Sequence, residues 1–196
     1  LGGAIAGGFG VRGIYNVLAD YQTLETAFKG IFNEIEGGAP KTTAFLERLQ
    51  ELARTTPFEL VQVGTAAQKM FTNKVVDVKA IDALDQVEKK LRTLADAAAA
   101  TGKNAAQMDD ALLGIQQIGS NEVLHMEELR QVTENIGLSG SAVAAELGMT
   151  YGEMTKAMKK NSIDGKTGIE AIFRAMEKIP GAAGASARQA KTLRGS

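Results

Sequence analysis

The 196 residues suffice for one sizeable core or two small ones. The absence of cysteine excludes disulfides, thiolate zinc sites and cysteine nucleophiles together, and fits a reducing compartment. With 22 basic and 23 acidic side chains, no global field draws the chain to nucleic acid or to an anionic membrane surface.

The start at Leu1, with no charged leader, reads as an excerpt of a longer protein. The window nearest to a membrane span, Leu1 to Leu18, holds six glycines and Arg12, and its Gly3 and Gly7 read as part of a flexible lead-in. Helix signals then dominate, with no period-2 alternation backed by β-branched and aromatic residues. A first helix is predicted from Val11 to Ile35, with Ile14, Leu18, Tyr21, Leu24, Phe28 and Phe32 on one buried face. Gly37, Gly38 and Pro40 stop it, and a second runs from Thr42 to Arg54 around Phe45, Leu49 and Leu52. Thr56-Pro57-Phe58-Glu59 reads as a capping box with proline at the first helical position. It opens a third helix through Leu60, Val63, Ala67 and Met70, which ends near Thr72-Asn73.

A long fourth helix, Val76 to Ala100, carries Val78, Ile81, Leu84, Val87, Leu91, Leu94 and Ala98 close to a heptad seam before Thr101-Gly102 ends it. A fifth runs from Asn104 to Ile118. Short helices follow at Leu124 to Ile136, Ser141 to Leu147, Thr150 to Lys160 and Thr167 to Ile179, separated by Gly137, Gly148 and Gly165. Capping boxes at Thr150–Glu153 and Thr167–Glu170 set the last two starts. After Pro180 the Gly-, Ala- and Ser-rich tail reads as a linker with one helical turn around Ala187.

Charge is uneven along the second half. Asp109 to Glu153 holds eight acids and one base, Arg130, whereas Lys156 to Ser196 holds nine bases and three acids. The simpler reading is solvated helix faces that pair with each other; the sharper one is a head-to-tail contact between copies.

Several motifs have plainer explanations. Gly8-Phe9-Gly10-Val11-Arg12-Gly13 spells a dinucleotide-binding turn, but no strand precedes it and no βαβ unit follows. Gly165-Lys166-Thr167 ends like a phosphate-binding loop, yet Lys160 stands where the first glycine belongs, so a turn with a capping threonine is preferred. Glu122, His125 and Glu128 share a helix face at metal-ligand spacing, but one histidine is too few for a bundle metal site, and no Ser/His/Asp set exists beside it. Asp109 and Asp110 read as a solvated pair. The main competitor is Ser139 to Lys160, where Ala144, Gly148, Met154 and Met158 resemble a helix-turn-helix with Lys156, Lys159 and Lys160 toward phosphates. Glu153 at the start of its second helix, and the acidic segment before it, oppose that alternative. No catalytic, cofactor-binding or metal-ligating residue is expected, and the chain is not expected to be an enzyme.

Two stretches together resemble the N-terminal region of phage tail tape-measure proteins. One runs from Phe45 to Glu59 and closes on Ala53-Arg54-Thr55-Thr56-Pro57-Phe58-Glu59, similar to the family's Ala-x-x-Thr-Pro-Phe-Glu. The other starts at Leu94-Ala95-Asp96 and continues through Ala111 to Ile118, Met126 to Val132 and Ile136-Gly137. It goes on through Leu147-Gly148-Met149-Thr150 and Ile163-Asp164-Gly165 to Gln189-Ala190-Lys191-Thr192-Leu193-Arg194-Gly195-Ser196. His125 departs from the family, which tends to place a small capping residue there.

The resemblance implies an all-α structural and assembly protein of the phage or prophage virion tail that occupies the tail tube, governs tail length and passes through the host cytoplasm during assembly. Implied partners are the tail tube protein, tail assembly chaperones, tail-tip proteins and further copies of itself, with no cofactor, small-molecule substrate or specific nucleic acid. The expected layout is a glycine-rich lead-in and helix start at 1–23, a helical tape-measure domain at 24–179, and a linker at 180–196 to the rest of the protein. Within it the elements form a multi-helix array, one helix long and the C-terminal ones short and capped.

Overall fold

The computed structural model describes residues 8–33, 38–56 and 58–195, and among these every regular element is a helix, as the sequence predicts. The first three are α1 (Gly8–Phe32), α2 (Gly38–Thr55) and α3 (Leu60–Thr72). They pack pairwise because each turns a large apolar stripe inward: Leu24, Phe28 and Phe32 from α1, Phe45, Leu46, Leu49 and Leu52 from α2, Val63, Met70 and Phe71 from α3. Phe45 sits edge-on to Phe28 at 5.0 Å, and Phe71 sits edge-on to Phe32 at 5.6 Å, the arrangement that ring quadrupoles favour. The side chains of Ile14 and Leu18, and residues Ile35, Gly37 and Pro57, lie outside the described residues.

Three boundaries differ from expectation here. Gly8 to Gly13 is helical, forming the start of α1 and not a loop before it. Gly38 and Pro40 belong to the first turn of α2, where a missing N–H breaks no intrahelical bond. Thr56 does not cap α3. Its buried hydroxyl donates to Leu52 O at 2.9 Å, closing the end of α2, and α3 begins later, where Glu59 N–H donates to Gln62 Oε1 at 2.9 Å.

The expected long fourth helix is shorter. α4 (Ala83–Ala100) begins only after an irregular stretch in which Val75 and Val76 plug the core. The Asp77 carboxylate accepts from Lys79 N–H at 2.9 Å, a local turn that competes with helix. Val87, Leu91, Leu94 and Ala98 of the seam are buried, but Ile81 is fully exposed on that stretch.

The remainder is α5 (Ala105–Asn121), α6 (Met126–Ile136), α7 (Gly140–Glu146), α8 (Tyr151–Lys159), α9 (Gly165–Glu177) and α10 (Ala185–Gly195). α5 packs most extensively on α6, and α4 touches α2, α3, α5, α6, α9 and α10, which makes it the axis of the array. One continuous core runs from Leu24 to Met176. Its two regions meet where α5 ends against the turn after α3. A Cβ on Gly119 would lie 2.3 Å from Asn73 O, Ser120 Oγ donates to Asn73 Oδ1 at 3.0 Å, and Lys74 pairs with Glu122 at 2.6 Å.

Local side chains set most starts in this region. Asn104 Oδ1, Ser139 Oγ and Thr150 Oγ1 accept from the N–H of Gln107, Ala142 and Glu153 at 3.0, 3.1 and 3.2 Å. The Thr150–Glu153 box is present as expected. The Thr167–Glu170 box is not: Asp164 caps α9, accepting from Thr167 N–H at 2.9 Å and Thr167 Oγ1 at 2.5 Å. Asp164 is free to do so because residues 163 to 165 run extended beside Val123, with Leu124 N–H to Ile163 O at 3.0 Å and Gly165 N–H to Glu122 O at 2.8 Å. The single turn expected around Ala187 is the 11-residue α10, docked on α4.

Candidate functional site

The most buried charge among the described residues is Lys90, midway along α4 and 6% exposed. Its register places it three residues after Val87 and four before Leu94, on the buried stripe, and that spacing is the signal by which sequence reasoning would have found it. The ammonium lies 2.6 Å from Glu170 Oε1 and 4.6 Å from the centroid of the Phe173 ring, both on α9. It borders an open groove of about 280 Å³ between α4 and α9, flanked by Gln86, Lys89, Arg174 and Glu177. A buried cation satisfied by a carboxylate and a ring face ties two helices together. The lining offers acids, bases and the Thr93 hydroxyl but no imidazole to activate that hydroxyl, so the groove does not assemble a triad.

The residues singled out from sequence are not brought together. Glu122 ends α5 in a left-handed conformation, φ 61°, and its carboxyl, bonded to Lys74, is held below the usual range. His125 occupies the N-cap of α6 without a side-chain cap bond, and Glu128 Oε1 accepts from Asn121 Nδ2 at 3.0 Å. No group of three metal-ligating side chains occurs among the described residues. Asp109 and Asp110 are both exposed; partial burial pushes the Asp109 carboxyl up, Lys69 opposes this, and Asp110 adds to it. Gly165-Lys166-Thr167 is the first turn of α9, and Glu170 is engaged with Lys90.

Ser139 to Lys160 does form a helical corner. Gly148 turns it at φ 71°, a backbone conformation that glycine adopts without a steric cost. Ala144, Met154 and Met158 fill the inside of the corner, while Lys156, Lys159 and Lys160 stand in solvent. The start of α8 is where a recognition helix would meet phosphates. Glu153 occupies it, accepting from Thr150 N–H at 2.7 Å and from the Thr150 hydroxyl at 2.8 Å, bonds that hold its carboxyl ionised below the usual range. A fixed negative charge at that point repels nucleic acid.

Sequence reading missed the side chain that holds α10. Asp96 of α4 accepts from Gly184 N–H at 2.9 Å, from Ser186 N–H at 3.0 Å, and from the buried Ser186 hydroxyl. Arg188 closes the turn before α10 by donating to Gly181 O at 2.7 Å and Ala183 O at 2.8 Å. The site that emerges is a set of helix-to-helix fastenings: Arg48 to Asp85 and Glu88 at 2.7 and 2.6 Å, Lys90 to Glu170, Asp96 to α10, and Glu146 to Lys178.

Compared with known families, the chain matches a model described as tape measure protein over residues 12–196. No curated protein and no solved structure matches the chain.

Proposed function

Because the chain belongs to the tape measure protein family, structural and non-enzymatic components of the phage tail, we propose that residues 24–179 form a compact assembly and docking module of the tail. In this reading the whole protein occupies the tail tube and governs its length and assembly, in the virion tail and, while tails are built, in the host cytoplasm. Its partners are the tail tube protein, assembly chaperones, tail-tip proteins and other copies of itself. Residues 180–196 lead on to the rest of the protein, with α10 seated on α4 as they do so.

The observation that carries the reading is the folded-back core. A ruler made of helix adds about 1.5 Å per residue only where the helix is unbroken, so 196 continuous residues would span roughly 290 Å. Among the described residues the longest helix is α1, with 25 residues, and the helices fold back on one another to build one core. Helices of this length gain stability from packing against one another more than from propensity. Length is then set by longer helices elsewhere in the protein.

The test is an in-frame excision of Leu24 to Ile179 in the phage, read by electron microscopy of tails. Loss of tails, or tails close to normal length, is expected. Viable tails shortened in proportion to the excised residues would mean that the segment lies extended in the tube.

A further inference from the structure

The last helix is held differently from those before it. The continuous core runs from Leu24 to Met176, and Ala182, Ala185 and Ala190, though buried, stand outside it. α9 turns Ile169, Ile172, Phe173 and Met176 inward, whereas the side chains that α10 and the turn before it bury, among the described residues, are those three alanines and Ser186. Small side chains remove little apolar surface from water, so burial supplies less of the hold here than in the core. None of the ion pairs among the described residues reaches α10.

Hydrogen bonds concentrated at its start fasten α10 instead. α5, α7, α8 and α9 take their caps from the residue just before them, Asn104, Ser139, Thr150 and Asp164. At α10 the acceptor is the Asp96 carboxylate of α4, which receives the N–H of Gly184 at 2.9 Å, the N–H of Ser186 at 3.0 Å and the Ser186 hydroxyl. Bonds to a charged acceptor are the stronger kind, so this one side chain carries much of the attachment. The turn before α10 is in turn locked to the helix by Arg188, which donates to Gly181 O and Ala183 O at 2.7 and 2.8 Å while its N–H donates to Gly184 O at 3.1 Å. Losing the first turn of α10 therefore loosens residues 181 to 184 as well, and the two form one unit.

We propose that residues 181–195 are a releasable strap: they leave α4 and α2 together, as a second state of the folded protein, while α1 to α9 stay packed, and the Asp96 carboxylate sets how far that state is populated. Ordinary fraying loosens a helix from its free end inward. The strap loosens along its whole length at once, because the bonds that hold it lie at its start. Open, it frees the Asp96 carboxylate and the α4 surface beside it. On the reading that residues 180–196 lead on to the rest of a tail protein, opening also moves the point at which the chain leaves the array from α10 back to α9.

Native-state hydrogen exchange on the purified chain tests this. The protected amides from Ala182 to Thr192 should share one protection factor, about tenfold or more below those of α4 and α9. Asp96→Ala should lower the protection of α10 by roughly a further tenfold, since bonds to a charged acceptor are lost, and leave α5, α6 and α9 unchanged. Arg188→Gln, a change outside the core, should loosen the turn and α10 together, and it gives the same test if Asp96→Ala disturbs α4. Protection that declines smoothly toward Gly195, an α10 protected as well as α4, no response to either variant, or loosening of α9 along with α10 would overturn the proposal. The tail reading is judged separately, by the excision of Leu24 to Ile179, so the strap can fall while that reading stands.

Discussion

Four phenylalanines, Phe28, Phe32, Phe45 and Phe71, interlock where α1, α2 and α3 meet, whereas α5 to α9 together contain one, Phe173. The first region orients helices of 25, 18 and 13 residues with a few large rings. The second has helices as short as seven residues, which cannot bury comparable stripes and are positioned by a cap at nearly every start and by close backbone approach. Large side chains give stability per residue; caps and glycines give position. The two regions should therefore respond differently to the same kinds of damage.

The largest expected effect is Phe45→Ala, which empties the centre of the aromatic cluster and should cost about 3–5 kcal/mol in denaturant unfolding. A cost near that of a surface substitution would show that the rings do not hold the first region. Next comes Gly119→Ala at the seam. Its Cβ would meet Asn73 O at 2.3 Å, a backbone atom that cannot swing away, so a loss of about 1–3 kcal/mol is expected. Hydrogen exchange should locate the damage both in the turn after α3 and at the end of α5.

Acid should act on the second region first. The hydroxyl and N–H of Thr167 hold the Asp164 carboxyl below its ordinary range, Lys178 does so for Glu146, and Thr150 for Glu153. A carboxyl depressed in the folded state contributes stability that is fully present above its unfolded pKa and is lost as pH falls through the lowered folded value. Amide exchange in α8 and α9 should rise below the usual carboxylate range while the α1–α3 corner stays protected. Asp164→Ala should cost about 1 kcal/mol at neutral pH and flatten that dependence. The smallest effect is a gain: His125→Ser supplies the cap that α6 lacks and should add about 0.5–1 kcal/mol, seen as a higher thermal midpoint.

What could be read from sequence follows the same division. The all-α class and the buried stripe through Leu24, Phe28 and Phe32 follow from helical spacing, and the Thr150–Glu153 box is a local rule that the fold had no reason to override. Thr56 satisfied the same rule on paper. Its hydroxyl serves Leu52 O instead, because it is buried at the end of α2, and burial is a tertiary fact. Ile81 fitted the heptad seam by spacing, but the Asp77 turn and the burial of Val75 and Val76 delay α4 and leave Ile81 outside it. Of the fastenings, Lys90 was legible from its register, whereas the Asp96 bond to Ser186 crosses 90 positions and leaves no local trace. The paired charges of Glu146 and Lys178 agree with helix faces that neutralise each other, and the unpaired remainder could be separated from them only once the helices were in place.

The cap that Asp96 gives α10 comes from another helix, and this fixes how the C-terminal end answers a pull. An isolated helix of 11 residues is marginal in water, and once α10 leaves α4 it also loses the acceptor for its first N–H groups. Undocking and unwinding are thus one event, with no stage at which a free helix dangles from the array. As helix the segment spans about 16 Å, and drawn out it reaches about 36–40 Å. A pull on the end of α10 would be met by a single step of roughly 20 Å of slack, released where α10 leaves α4.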